Sequence, residues 1–293
     1  MRAWVRGLAS RVVEHAVQRQ SLEEKTSPAT KAALRALYTA WRARALDGAR
    51  LPRPDETGLR VFSQFEEDGM LLFLLAVIGI ESATYLDLGG GDGVYASNTA
   101  NLALNFGFHG VVVDGNDDAI ARGRRFFANH PDSALYPPRF ARAMLTRENV
   151  NAVVKAEGLQ GDIDVLSIDI DGNDCWIWDA LNVVRSRIVV IEVHPELGTE
   201  PILVPYDPAF DARTARPHFV GASPGAAIVI GRKLGYRLVA ANRYGFNLFF
   251  VREELCGDRA PEMPLEALFR HRRARERVVP SGELQQLPFA RVP

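Results

Sequence analysis

The sequence predicts an α/β fold: a mostly parallel sheet covered by helices, preceded by an N-terminal helical extension. Three observations predict it. Short β-branched or aliphatic runs alternate with helical stretches between residues 84 and 193, and runs apolar at every position suit strands buried on both faces. A glycine-rich turn follows the first of these runs. Acidic residues close three of them, at Asp114, at Asp169 with Asp171, and at Glu192, the edge where open α/β sheets bind ligands.

At 293 residues the chain has room for one large domain, or one domain with an appendage. A composition of 47% hydrophobic and 24% charged residues is that of an ordinary globular protein and excludes a disordered, collagen-like or disulfide-scaffold chain. The net charge of −1 hides an uneven distribution. Residues 1–50 carry ten Lys or Arg against four acids, a balance of +6, which leaves −7 for the rest. Nucleic acid is not an expected partner, because the body is acidic and the basic residues are spread along helices. Cys175 and Cys256 allow at most one disulfide and lack the paired spacing of a zinc site, which points to a reducing compartment. No apolar run reaches the roughly 18 residues of a membrane-spanning helix. Arg2, Arg6 and Arg11 interrupt any signal-peptide core. A cytoplasmic location is the expectation.

Taken in order, Val5, Leu8, Val12 and Ala16 form the stripe of a first amphipathic helix. Ser27 caps a second helix and Pro28 suits its first turn, with Leu34, Leu37, Tyr38, Trp41 and Ala45 as its apolar face. The expected organisation is a basic helical arm over 1–50, a linker over 51–60, a main domain over 61–255 and a partly helical tail over 256–293. The arm packs against the main domain or a second copy of the chain, or else touches a membrane surface or anionic partner. Ser63 and Glu66 have capping-box spacing, which predicts a helix from near Gln64 to Gly79. Strands are expected at 84–88, 110–114, 163–170 and 188–193, with a further one near 139–145. Helices are expected between them at 98–106, 117–129, 147–157 and 175–184. Ser223 and Pro224 then start a helix to Leu234, followed by strands at 236–241 and 246–251 joined by a turn.

The clearest chemical signal is Asp87-Leu88-Gly89-Gly90-Gly91-Asp92-Gly93, between a strand and a helix. Glycines at 89, 91 and 93 let the backbone turn tightly and approach a ligand. A dinucleotide fingerprint would also need glycine at position 94, where this chain has Val94. Asp-x-Gly-x-Gly-x-Gly instead resembles the first motif of S-adenosylmethionine-dependent methyltransferases, in which the acid, here Asp87, faces the methionine end of the cofactor. Asp114 closes the next strand, where a carboxylate can accept hydrogen bonds from ribose hydroxyls. Asp92, Asn98 and Asn116 are expected either as secondary cofactor contacts or as helix caps.

Side chains at 169 and 171 point to one side of a strand, as do those at 192 and 194 on the next, because a strand has a period of two. If the strands are neighbours, Asp169, Asp171, Glu192 and His194 converge at the carboxyl edge. So much like charge calls for compensation. Magnesium or manganese would suit this set of donors. Without a metal, Asp169 would touch the cofactor's amino group, Asp171 would cap the following helix and Glu192 would position a substrate hydroxyl. Trp176 and Trp178, two apart on a helix, cannot both face the core, and one is expected to line the pocket.

At these residues the chain resembles FkbM-type methyltransferases, specifically a bacterial branch. The matching segments are Ser63-Gln64 with Glu67-Asp68-Gly69, the turn at 89–93, the run from Ser167 to Asp174, Gly221-Ala222-Ser223, and the run from Asn247 to Val251. The resemblance covers roughly residues 61–255. It implies a Rossmann-like class I methyltransferase sheet ending in an antiparallel hairpin, S-adenosylmethionine as cofactor, and a hydroxyl acceptor on a sugar or secondary metabolite. Where that branch has Glu-Tyr-Asn, this chain has Glu192-Val193-His194, a titratable group in place of an amide.

The function expected is O-methylation of a small-molecule or glycan acceptor, with Asp169, Glu192 and His194 as catalytic residues and His194 as the base. A metal on Asp169, Asp171, Glu192 and His194 is the alternative means of activating the hydroxyl. Two other classes compete: an S-adenosylmethionine-binding enzyme of different chemistry, and a non-catalytic scaffold docking through the basic arm. A homo-oligomer is compatible with either.

Overall fold

The computed structural model describes residues 21–292, so the first predicted helix, carrying Val5, Leu8, Val12 and Ala16, lies outside the described residues. Seven strands form one sheet in the order β3-β2-β1-β4-β5-β8-β7. These are β1 (Thr84–Leu88), β2 (His109–Asp114), β3 (Arg139–Arg142), β4 (Gly161–Ile168), β5 (Val184–Glu192), β7 (Tyr236–Ala241) and β8 (Asn247–Arg252). Strands β1 to β5 run parallel, and β8 pairs antiparallel with both β5 and β7. The expected mostly parallel sheet with an antiparallel final hairpin is therefore present, and its order reverses beside β1. A separate two-residue pairing joins β6 (Ile202–Leu203) to β9 (Ala290–Arg291).

Two cores fill the two faces of the sheet, and the period of two along each strand sorts residues between them. Leu86 and Leu88 pack with Val111, Val113, Ile177 and Trp178 on one face, whereas Tyr85 packs with Val112, Phe73 and Phe127 on the other. Trp178 is the tryptophan that faces the core, against Tyr236 and Phe250. Trp176 turns away, donating its indole N–H to the Val204 carbonyl at 2.8 Å.

Ser27 caps α1 (Pro28–Leu46) as expected, its hydroxyl accepting from the Thr30 amide at 3.1 Å. Leu34 and Ala45 are buried, and Leu37, Tyr38 and Trp41 pack against the core. The arm's arginines reach the carboxyl ends of neighbouring helices. Arg42 donates to the Ala76 and Val77 carbonyls of α2 (Glu67–Ile78), and Arg35 to the Asn105 carbonyl of α3 (Ala100–Phe106). Cations are favoured at such ends, where carbonyls lack partners and the helix dipole is negative.

The Ser63/Glu66 capping box does not form. Helix α2 starts at Glu67 without a side-chain cap, because the Ser63 amide goes to Asp68 instead of Glu66, together with the amides of Val61 and Phe62 at 2.7–2.8 Å, and the Ser63 hydroxyl donates to Asp68 at 2.7 Å while accepting from the Asp68 amide at 3.2 Å. The expected strands and the other expected helices of the main domain shift by up to four residues at their ends, and β6, β9 and the 3-10 turns at Pro54–Glu56 and Pro195–Leu197 are elements the sequence did not predict. Further helices are α4 (Asp117–Asn129), α5 (Val150–Ala156), α6 (Asp174–Ala180) and α7 (Pro224–Lys233), and the C-terminal segment carries the short α8 (Glu253–Cys256), α9 (Arg272–Arg277) and α10 (Ser281–Leu284). No helix among the described residues is long and apolar enough to cross a membrane.

Candidate active site

The carboxyl ends of β1, β2, β4 and β5 line two cavities that share Gly89, Asp169 and Asp171. The smaller, about 370 Å³, is walled by Asp87, Gly91, Asn98, Ser167, Asp169, Asp171 and Glu192. The larger, about 710 Å³, extends over Asp114 and Asn116 to Ala143, Met144, Leu145 and the loop from Pro208 to Arg213. Another cavity, about 610 Å³, lies between residues 53–58, β7 and the C-terminal segment, away from these strand ends.

Strand register explains why these side chains meet. Ile168 of β4 pairs with Ile191 of β5, so the next residues, Asp169 and Glu192, emerge side by side. Leu88 of β1 pairs with Ile168, and the Asp169 amide donates to the Leu88 carbonyl at 2.9 Å. That crossing explains Gly89, since a Cβ there would lie 1.6 Å from the Asp169 carbonyl oxygen.

Asp87 is buried beneath the turn and accepts from the Thr99 hydroxyl at 2.6 Å. Burial pushes its carboxyl up to about 6, against the hydrogen bonds of Thr99 and Ser167 that favour the ionised form. Asp114 braces the turn, with Oδ2 accepting from the Gly91 amide at 2.9 Å and Oδ1 from the Asn116 amide at 2.7 Å. Asn98 donates to Ser167 Oγ at 3.2 Å on the cavity wall. Asn116 caps α4 through the Asp118 and Ala119 amides and also lines the larger cavity. Asp92 accepts from the Val94 and Tyr95 amides at 3.0 and 2.9 Å, the geometry of a turn cap.

Ligand oxygens of Asp169, Asp171 and Glu192 lie within 4.8 Å of one another. Asp169 and Glu192 are half-buried by surface area, yet protein encloses both carboxyls on nearly all sides. Burial, reinforced by Asp174 and Asp171, pushes Asp169 up to about 7. Burial and the Asp169 charge hold Glu192 well above the usual carboxylate range. Asp171 is exposed and sits in the left-handed region at φ 57°. It does not cap the following helix. The organising residue of that loop is buried Asp174, which accepts from the Ile170 amide at 2.7 Å and the Gly172 amide at 2.9 Å.

His194 is not part of the three-carboxylate group. Strand β5 ends at Glu192 and the His194 amide turns to the Ala222 carbonyl at 2.8 Å. Its Nδ1 lies 3.5 Å from Glu196 Oε1. Burial raises the Glu196 pKa, but the hydrogen bond from His194, that from its own backbone amide and the charges of His194 and Arg277 together outweigh it and leave the group below its usual value. The imidazole lies over Gly221, where a Cβ would come within 2.4 Å of Cδ2.

Several residues escaped the sequence reading. Ser167 lies two before Asp169 and pairs with Asp87 across β1 and β4, so the period of two could have found it. Glu196 stands two residues beyond His194, but it lies past the end of β5 in the 3-10 turn Pro195–Leu197, where the strand period no longer applies. Gln64 and Tyr95 line the smaller cavity from loops, where no periodicity operates, and Tyr95 is 87% exposed. Cys175 is buried in the core, and burial holds its thiol well above the ordinary range, which removes it as a nucleophile.

No family model matches the chain, and no curated protein matches it. Among solved structures, it is similar to a protein of Galdieria sulphuraria assigned to sarcosine dimethylglycine methylation, at 14% identity and TM-score 0.41 over 60% of this chain and 61% of that one. It is also similar to the glycopeptide N-methyltransferase MtfA complexed with sinefungin, at 12% identity and TM-score 0.38 over 63% and 85% of the two chains. A TehB-like S-adenosylmethionine-dependent methyltransferase of Corynebacterium glutamicum aligns at 13% identity and TM-score 0.35 over 75% and 98%. Likeness at this level assigns neither a reaction nor a substrate to this chain.

Proposed function

We propose that the protein is an S-adenosylmethionine-dependent methyltransferase that transfers the methyl group to a hydroxyl of a small-molecule or glycan acceptor. The observation that carries this reading is the joined cleft at the strand ends. It brings an apolar slot, a carboxylate and an acidic pocket to one edge of the sheet. Val113, Ala143, Met144 and Leu145 offer a heterocycle its slot, and Asp114 stands where ribose hydroxyls would follow. Asp87, Asn98 and Asp169 offer a polar, anionic end to the cationic methionine portion. Gly91 leaves the backbone open on that side, since nothing lies within 4 Å of a Cβ placed there. The motif resemblance to FkbM-type enzymes supports a hydroxyl of a sugar or secondary metabolite as the acceptor.

S-adenosylmethionine supplies an electrophilic methyl group carried on a sulfonium. What the chain must add is alignment and a place for the hydroxyl proton. Asp169 and Glu192 line the acidic pocket and receive the acceptor hydroxyl by hydrogen bonding. His194 takes the proton. It lines neither cavity, and two residues of chain, at most about 6.6 Å, separate its Cα from that of Glu192 on the acidic wall. Glu196 on Nδ1 orients the ring and leaves Nε2 as the acceptor nitrogen, the arrangement by which a carboxylate positions a general base.

The test combines calorimetry with transfer of a labelled methyl group to a panel of hydroxylated acceptors. His194→Ala is expected to bind S-adenosylmethionine like the wild type and to lose about 100- to 10,000-fold in turnover, the usual worth of a general base. Wild-type turnover in that variant would remove His194 from the mechanism. A labelled aminocarboxypropyl product in place of S-adenosylhomocysteine would replace methyl transfer by other sulfonium chemistry. No cofactor binding at all would leave the scaffold reading.

A further inference from the structure

Three carboxylates that share one pocket repel each other, and among the described residues no Lys, Arg or His nitrogen stands within ion-pair distance of them; Arg213, whose charge reaches Asp171, lines the larger cavity with it but is paired with Asp211. Asp169, Asp171 and Glu192 place one oxygen each within 4.8 Å of the others, while the ion pairs of the molecule involve other acids. At such separations two unit charges repel by several kcal/mol at the effective dielectric of a protein surface. A second, independent observation is Glu192 Oε2. This atom is inaccessible to solvent and has no hydrogen-bond partner, although the carboxyl belongs to the cavity wall and meets Asp169 of the same group through a side-chain hydrogen bond. An orphaned buried carboxylate oxygen costs about 1–3 kcal/mol or more unless a partner meets it.

We propose that Asp169, Asp171 and Glu192 form a binding site for one hard divalent cation, magnesium or manganese. Metal–oxygen bonds of about 2.0–2.1 Å for magnesium put two oxygens of one ion at most about 4.2 Å apart, so oxygens spread over up to 4.8 Å would close by a few tenths of an ångström around such an ion. The donor set is all oxygen, which selects magnesium, manganese or calcium over thiolate- and imidazole-seeking metals. His194 is outside it, held on Glu196, and stays free to accept a proton. Three protein oxygens would leave open positions on a six-coordinate ion, and all three carboxylates line the smaller cavity, where an acceptor could take one. The site deepens the methyl-transfer reading and rests on it for its purpose: it gives the acceptor oxygen an anchor that the carboxylates alone provide only by hydrogen bonding.

The test is titration of the chelator-treated full-length chain with manganese chloride, read by loss of the free-manganese electron paramagnetic resonance signal and by calorimetry. Wild type should bind one manganese ion saturably. Glu192→Gln and Asp171→Asn should each weaken binding by about tenfold or more, at least the loss seen when a metal site forfeits a supporting hydrogen bond. Thermal melting gives a readout free of catalysis. Glu192→Gln should raise the melting temperature of the metal-free protein by relieving repulsion, and manganese should stabilise wild type but not the variant. Absence of saturable binding, or binding unchanged in both variants, overturns the site. S-adenosylmethionine calorimetry on the same samples separates the two readings. Cofactor binding without manganese binding sinks only the cation, and manganese binding without cofactor binding sinks only methyl transfer.

Discussion

Two glycines of the turn illustrate how one residue type serves two different constraints. Gly89 and Gly91 have φ of 85° and 58°, a region that disfavours a Cβ. Gly89 is also needed for packing, because its Cβ would meet the Asp169 carbonyl at 1.6 Å. Gly91 faces open space. Gly89→Ala should therefore fail to fold stably, whereas Gly91→Ala should remain folded at a cost of about 1–2 kcal/mol for the left-handed backbone. In Gly91→Ala the affinity for S-adenosylmethionine should fall well beyond that loss, because the new methyl group stands where the ligand approaches. Melting and calorimetry on the two variants check this; a folded Gly91→Ala with wild-type affinity would show that the turn is not the cofactor's cradle. The glycines and Asp114 were legible as a strand-end signature. That Asp114 holds the Gly91 and Asn116 amides was not, since such bonds depend on the closed loop and leave no periodic trace.

At the scale of elements, the segment from Ser63 to Gly69 shows why a local motif misled. Its spacing is that of a capping box, yet a carboxylate five residues on binds the same hydroxyl and three buried amides besides. One acceptor that satisfies four donors outcompetes a cap that would satisfy one or two. The neighbouring Glu67 reaches further still. Its Oε1 accepts from Asn242 at 2.7 Å and Asn247 at 3.0 Å, tying α2 to the turn between β7 and β8. Asp68→Ala would strand the amides of Val61, Phe62 and Ser63, all buried, at about 1–3 kcal/mol each. Urea unfolding should show a loss of several kcal/mol; a change under 1 kcal/mol would mean that the segment does not depend on Asp68. Helix α1, by contrast, was legible to the residue at its start, because Ser27 and Pro28 act within one turn and nothing distant competes.

For the whole molecule, the sequence showed a basic arm and an acidic body, and the structure gives each a physical setting. Part of the basic charge satisfies helix carboxyl ends through Arg35 and Arg42. Part of the acidic charge is buried at the strand ends, where ionisation opposes folding. Burial raises Asp87 to about 6 and Asp169 to about 7, and it raises Asp68, Asp174 and Glu192 as well. A carboxyl whose folded pKa exceeds its unfolded value binds its proton more tightly when folded. Its contribution to stability is therefore complete below about pH 4 and is lost as pH rises through the folded pKa. For Asp87 alone, about two pH units correspond to roughly 3 kcal/mol. The ligand-free protein should accordingly melt several degrees higher at pH 5 than at pH 8. Affinity for the cationic cofactor should run the opposite way, strengthening between those values as Asp87 and Asp169 ionise. Melting curves and calorimetry at the two pH values test both arms together. If the ligand-free melting temperature rises toward pH 8 while cofactor affinity stays flat, the buried carboxyls are not the groups that couple folding to binding.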